Sequence, residues 1–268
     1  MKITVLVSLV SFACGGDASS DEPRPRPQEA VRVVQYNAQT RITLGSEPER
    51  GATMAARLGE LAPSVIGLSQ CEGCQVLIDQ IPGDYALVTE DRAGVAAAYD
   101  RSQWRVSDHG WFALGFNDDG WGERVALWVE LEEIASGAPI LFYSTHWCVP
   151  SRAPDDDCDL ARHLEYAERM IFDSRRRAAA LPVVVAGDLN APEVGEEAVA
   201  RAFTDAGYVD AMRALQPTGA IVTQIYGDRL DYVFGSSPVD VIEAYVDETL
   251  PYEVASDHFP VVATFQFR

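Results

Sequence analysis

The stretch LPVVVAGDLN, Leu181–Asn190, decides the fold. Val183, Val184, Val185 and Ala186 follow one another without polar alternation. A strand that is apolar on both faces is covered on both sides. It then runs out into Gly187, Asp188, Leu189 and Asn190, so a buried strand ends on polar side chains. The reading predicts a sheet with one layer above and another below, and something for Asp188 and Asn190 to do at its mouth.

Working outward, strand-like runs recur on both sides of this segment: VRVVQYNA, VIGLSQ, GVAAAYD, VALWVEL, ILFYSTHW, RLDYVFG, VIEAYV and FPVVATFQF. Between some of them lie helical patterns. In ERGATMAARLGELA, Met54, Leu58 and Leu61 recur at helical spacing. In DLARHLEYAERMIFDSRRRAAA, Leu160, Leu164, Ala167 and Ile171 do the same. EEAVARAFTDAG reads as a third helix ended by Gly207. Many strands with a few long helices give a mixed α/β architecture, best arranged as two sheets with helices outside. No repeat and no second linker interrupts the chain after residue 30.

The N-terminus reads differently. Lys2 precedes the 11-residue apolar run ITVLVSLVSFA, too short to span a bilayer and suited to a signal peptide. Cys14 follows, and the pattern resembles a bacterial lipoprotein signal over residues 1–14, with Ser11 where such signals usually carry Leu. Simple secretion with cleavage nearby is the other reading. Residues 15–29, rich in Gly, Ser, Asp and Pro, read as a flexible tether. The folded domain is expected over residues 30–268, exported to a bacterial periplasm or cell surface and held to a membrane by lipidated Cys14.

Export changes how the remaining cysteines read. Cys71, Cys74, Cys148 and Cys158 are an even number, which in an oxidising compartment suggests two disulfides. Local closure favours Cys71–Cys74 and Cys148–Cys158, because short loops cost least entropy to close. A four-cysteine zinc site is the competing reading.

The net charge is −20, and Lys2 is the only lysine. Such a chain repels nucleic acid at long range and attracts cations. Only Arg175–Arg177 forms a basic run, at a predicted helix C-terminus where cations suit the dipole.

Polar and titratable residues recur where buried strands end: Asn37, Gln70, His146, Asp188, Asn190, Asp231, Asp257 and His258. Scaffolds present sites at such mouths. Singly, each reads as a turn or cap residue. Taken in order, the segments QYNAQ, IGLSQ, STHW, AGDLNAP, RLDYVF and SDHFP resemble the endonuclease/exonuclease/phosphatase superfamily. The resemblance runs from Val31 to Arg268. It implies a DNase I-like four-layer α/β sandwich, with two packed, mainly antiparallel or mixed β-sheets and helices outside.

The resemblance also implies a metal-dependent hydrolase of phosphate esters, of phosphodiesterase or nuclease type. By that likeness His258 is the general base and Asp231 orients it. His146 assists at the phosphoryl oxygen or leaving group. Asp188 lies near the attacking water, and Asn190 contacts the phosphate. Asn37 and Asp257 offer hard oxygen ligands to Mg²⁺, or to Mn²⁺ or Ca²⁺. Arg124 lies where relatives carry a phosphate-contacting arginine, with a surface ion pair as the alternative.

One position departs from the pattern. Where relatives end the matching strand on a metal-binding Glu, this chain has Gln70. An amide oxygen can ligate a cation but brings no charge. Three readings stay open: a weaker or altered cation site, replacement by Glu72 two residues on, or a surface-anchored pseudoenzyme that binds a phospholigand without turnover. The substrate stays open between small molecule, lipid and nucleic acid, and the chain is expected to act as a monomer. The loop FALGFNDDGWGER, with Phe112, Phe116 and Trp121, either contacts substrate or anchors itself. The acidic segment APDDDCD reads as a solvated cluster, with Ca²⁺ binding as the alternative.

Overall fold

Along the chain of the computed structural model, apolar side chains sort into three layers. The described residues are 25–39, 48–89, 94–117, 122–150, 157–178 and 180–268. Cys14 and the signal segment therefore lie outside the described residues.

The strands are β1 (Val31–Asn37), β2 (Val65–Ser69), β3 (Tyr85–Thr89), β4 (Ala96–Asp100), β5 (Trp104–Asn117) and β6 (Gly122–Glu133). They continue as β7 (Pro139–His146), β8 (Val183–Asp188), β9 (Tyr208–Asp210), β10 (Asp231–Ser236), β11 (Val239–Val246) and β12 (Val261–Phe267). The helices are α1 (Pro48–Leu61), α2 (Gln75–Ile78), α3 (Leu160–Ala178), α4 (Glu197–Asp205) and α5 (Ala211–Leu215). One six-stranded sheet runs β11-β12-β1-β2-β4-β3 and the other β5-β6-β7-β8-β10-β9. Each is antiparallel except for one parallel pair, β1 with β2 and β7 with β8. No helix among the described residues is long and apolar enough to cross a membrane.

β8 explains the arrangement. Val184 and Ala186 point into the core between the sheets, while Val183 and Val185 point into the layer under α3 and α4. The uninterrupted apolar run is thus covered on both faces, as its composition requires. The same division holds for β1, where Val31 and Val33 face the other sheet and Val34 and Tyr36 pack under α1 with Met54 and Leu58.

Two expectations change. FALGFNDDGWGER is not a loop along its length, because Phe112 lies in β5 and Arg124 in β6, paired across a hairpin. Register shifts between Val106 and Asp108 and between Ala113 and Gly115 break the alternation that would have revealed β5. Phe112 meets Tyr143 edge-on at 6.5 Å, which anchors it in the α3-side layer. Trp121 lies outside the described residues. The end of the tether is also held: Pro27 is buried, and the Gln28 and Glu29 amides donate to the carboxylate of buried Glu133 at 2.9 and 3.2 Å.

Arg175–Arg177 is structural, as expected. Arg176 and Arg177 both bind Asp173 at 2.7 Å, Arg177 also covers the Trp128 ring, and Arg175 donates to the Ala206 carbonyl. Residues 151–156 of the acidic segment lie outside the described residues, and Asp157 pairs with Arg162 at 2.7 Å.

Candidate active site at the strand ends

The inner face of each central strand changes character along its length. On β1 it reads Val31, Val33, Gln35, Asn37, and on β2 Val65, Gly67, Ser69. On β7 it reads Ile140, Phe142, Ser144, His146, and on β8 Val184, Ala186, Asp188. β10 runs the other way and begins on Asp231. The candidate site is therefore the polar end of the core between the sheets. Strand register assembles it: β7 sets His146 opposite Asp188, and β10 sets Asp231 opposite the same residue.

Asp188 is the centre. Its Oδ2 accepts a hydrogen bond from Asn37 Nδ2 at 2.8 Å and lies 3.6 Å from His146 Nε2 and 3.8 Å from His258 Nε2. Gly187 leaves room for this pairing, since a Cβ there would stand 2.5 Å from Thr145 Cγ2. His258 comes from the turn before β12, with Nδ1 2.7 Å from Asp231 Oδ2. That turn is fixed by the Ser256 hydroxyl, which accepts the His258 amide at 3.2 Å, and by bonds from Ile225 to Asp257 and from Phe259 to Thr223.

Two histidines share this space and titrate in opposite directions. Burial lowers the His146 imidazolium to about 3; Asp188 opposes this, while Arg124 and His258 reinforce it. Burial also disfavours charge on His258, but Asp231, Asp188 and Asp257 outweigh it and raise it to about 10. Arg124 Nη1 lies 3.3 Å from His146 Nδ1, and a guanidinium can only donate. His146 is therefore neutral with its proton on Nε2, facing Asp188. His258 is cationic when no metal is bound.

Asn190 sits in a left-handed conformation at φ +47°, tolerated by Asn. Its amide nitrogen donates to the Trp147 carbonyl at 3.0 Å, and its backbone amide to Asp188 Oδ1 at 3.0 Å. Arg124 is fully buried and stands behind His146 rather than on the surface. The Ser256 hydroxyl donates to Asp257 Oδ1 at 3.4 Å.

Gln70 follows β2 with φ +48°, a left-handed conformation uncommon for a residue with a long side chain. β2 ends at Ser69, so the strand alternation that would carry Glu72 to the same side as Gln70 stops short of it. The Glu72 carboxyl lies over Gly94, where a Cβ would be 3.4 Å from its Cδ. It is not among the groups gathered at Asp188, Asp231 and His258. The Cys71 amide donates to the Gly94 carbonyl at 2.8 Å and closes this turn.

The cysteines pair locally, Cys71 with Cys74 and Cys148 with Cys158. The pairs belong to different core layers, which rules out one four-cysteine zinc site. His163 braces the second pair, with Nδ1 2.6 Å from Glu196 Oε2 and Nε2 3.1 Å from the Cys148 carbonyl.

Carboxylate and amide oxygens at these strand ends are hard donors of the kind a divalent cation takes. Carboxylates of Asp188 and Asp231 and the His258 ring gather within 4.8 Å of one another.

The sequence reading did not single out Gln35, Ser69 or Thr145, which form the floor beneath these groups. Gln35 Nε2 donates to Ser69 Oγ at 3.1 Å and approaches Asp231 Oδ1 at 3.4 Å, and Ser69 Oγ donates to the Thr145 carbonyl at 3.2 Å. The available signal was Gln35, a polar residue two before Asn37 on the same strand face.

A model of the Endonuclease/Exonuclease/phosphatase family matches residues 34–258. No curated protein matches by sequence. Among solved structures, an endonuclease/exonuclease/phosphatase from Bacteroides vulgatus is similar with a TM-score of 0.73 at 18% identity, over 90% of this chain and 100% of that one. The mannosyl-6-phosphatase of Bacteroides thetaiotaomicron gives 0.67 at 20% identity, over 88% and 100%. The human Nocturnin catalytic domain with bound sulfate gives 0.69 at 20%, over 91% and 96%.

Proposed function

The chain belongs to the endonuclease/exonuclease/phosphatase family and is a phosphoric ester hydrolase, and from that premise we propose a divalent cation-assisted, water-attack mechanism centred on His258. The observation that carries it is the Asp231–His258–Asp188 arrangement, with 2.7 Å from Asp231 to Nδ1 and 3.8 Å from Asp188 to Nε2.

Asp231 holds Nδ1–H, which leaves Nε2 as the nitrogen that takes a proton from water. Asp188 Oδ2 faces the same space and orients that water. His146, neutral and protonated on Nε2, donates to a phosphoryl oxygen, and Arg124 behind it fixes that tautomer. Asn190 is a further phosphate contact. Asn37, Gln70 and Asp257 would hold Mg²⁺ beside Asp188, with Mn²⁺ or Ca²⁺ as substitutes. When bound, the cation would polarise the phosphoryl oxygen and offset the carboxylates, which would lower the proton affinity of His258.

Small phosphate esters are the favoured substrate class. A net charge of −20 disfavours duplex nucleic acid, and one structural neighbour is a mannosyl-6-phosphatase. Two disulfides support an extracytoplasmic setting, with Cys14 as the lipid-bearing anchor. The test is turnover of sugar phosphates and a chromogenic phosphodiester against Mg²⁺ concentration. Turnover that is unchanged by chelation would contradict the mechanism, and loss of Cys14-dependent membrane association would be required of Cys14→Ser.

A further inference from the structure

We propose that Gln35, in the floor between the two sheets, is a positioning residue that holds Asp231 and through it aims His258; this inference rests on His258 acting as the base. Asp231 is fully buried and has two carboxylate oxygens to satisfy. Oδ2 serves His258 at 2.7 Å, and Oδ1 faces Gln35 Nε2 at 3.4 Å. The contact is long for a hydrogen bond, but one partner carries charge and both are shielded from water.

The surroundings are built for this amide. Gln35 and Gly67 are opposite each other on β1 and β2. A Cβ on Gly67 would stand 2.8 Å from Gln35 Oε1 and 3.0 Å from the Cβ of Ala186. The two small residues therefore leave the volume that the Gln35 amide fills. Within that volume, Oε1 has no hydrogen-bond partner among the described residues, while Nε2 serves both Ser69 and Asp231. A buried amide oxygen without a partner is destabilising, and an apolar side chain at this position would avoid it. The arrangement favours the donor end of the amide at the expense of the acceptor end. Asp231 accepts only, so the NH₂ group must be the end that faces it.

Gln35 also crosses from one sheet to the other. β1 and β10 lie in different sheets, so the Gln35–Asp231 contact ties the strand that begins on Asp231 to the opposite sheet. Partners behind a ligand or catalytic group typically contribute about 10- to 100-fold when removed.

The experiment uses the full chain with Gln35→Met, which keeps length and removes the donor, beside His258→Ala, Asp231→Asn and the Gln35→Met/Asp231→Asn double variant. We expect Gln35→Met to lower kcat by about 10-fold or more with KM unchanged. In the Asp231→Asn background the same change should have less than a twofold effect, because the group through which Gln35 acts has already been altered. Equal losses in both backgrounds would overturn the inference, as would full kcat in a folded Gln35→Met protein. A second measurement needs no change at residue 35: the Gln35 side-chain amide protons of ¹⁵N-labelled protein should shift on Asp231→Asn, and unmoved signals would overturn it. If instead His258→Ala retains full turnover, the base assignment itself has failed, which the panel separates from failure of the Gln35 step alone.

Discussion

Arg124 Nη1 lies 3.3 Å from His146 Nδ1 in a fully buried pair. Because the guanidinium has no acceptor, this contact decides which nitrogen of His146 carries the proton. A buried arginine used this way is an electrophilic support for its neighbour, and the imidazole presents a neutral N–H to the site.

Arg124→Met should therefore release the tautomer and lower kcat by about 10²-fold, the usual scale for losing one aimed donor. The variant keeps much of the side-chain volume. Circular dichroism checks the fold, and kcat with a phosphate ester checks the claim. Activity within twofold of wild type would mean that His146 does not need Arg124 behind it.

If residue 70 faces the cation as proposed, Gln70 leaves the site one negative charge poorer than a glutamate there would. Gln70→Glu should tighten apparent Mg²⁺ binding by about tenfold or more, since carboxylate count sets affinity in oxygen sites. Calorimetric titration of Mg²⁺ into chelator-stripped protein reads this directly. An unchanged affinity would place residue 70 away from the cation.

The two histidines give the cation-free protein a stability maximum. His258 has a folded value of about 10 against an ordinary 6.5. Its contribution is complete below that ordinary value and is lost as pH rises through about 10. His146 has a folded value of about 3 against 6.5. Its contribution is complete above the ordinary value and is lost as pH falls through about 3. Urea unfolding in EDTA should show stability falling on the alkaline side of neutrality, and His258→Asn should flatten that arm. A His258→Asn protein with an unchanged alkaline slope would contradict the assignment.

The Cys148–Cys158 bridge closes a loop of sequence separation 10 directly after the His146 strand. Its double serine variant should lose about 2–4 kcal/mol of unfolding free energy. Removing Cys71–Cys74 instead frees the turn that carries Gln70, so it should also change Mg²⁺ affinity. Equal effects of both variants on Mg²⁺ binding would count against that distinction.

Much of this was legible because it depended on local patterns. The run Val183–Ala186 revealed a strand covered on both faces, and Met54, Leu58 and Leu61 revealed the face of α1. The polar strand ends Asp188, Asp231 and His258 marked the site, which register then assembled. What escaped depended on long-range pairing. β5 hid behind its bulges, and Gln35 looked like an ordinary strand residue until β10 was brought across the gap to it. Glu72 had two routes to the site: a strand continuing past Ser69, which the left-handed turn at Gln70 ends, and a loop closed by Cys71–Cys74, which the chain does form.

The most direct test of the central claim is hydrolysis of a chromogenic phosphodiester and of a sugar phosphate by the full chain, with Mg²⁺ titrated from zero and His258→Ala alongside. The account predicts turnover that rises with Mg²⁺ and falls by about 10²- to 10⁴-fold in His258→Ala. Turnover that survives His258→Ala, or a wild type that binds these esters with no turnover under Mg²⁺, Mn²⁺ or Ca²⁺, would contradict it.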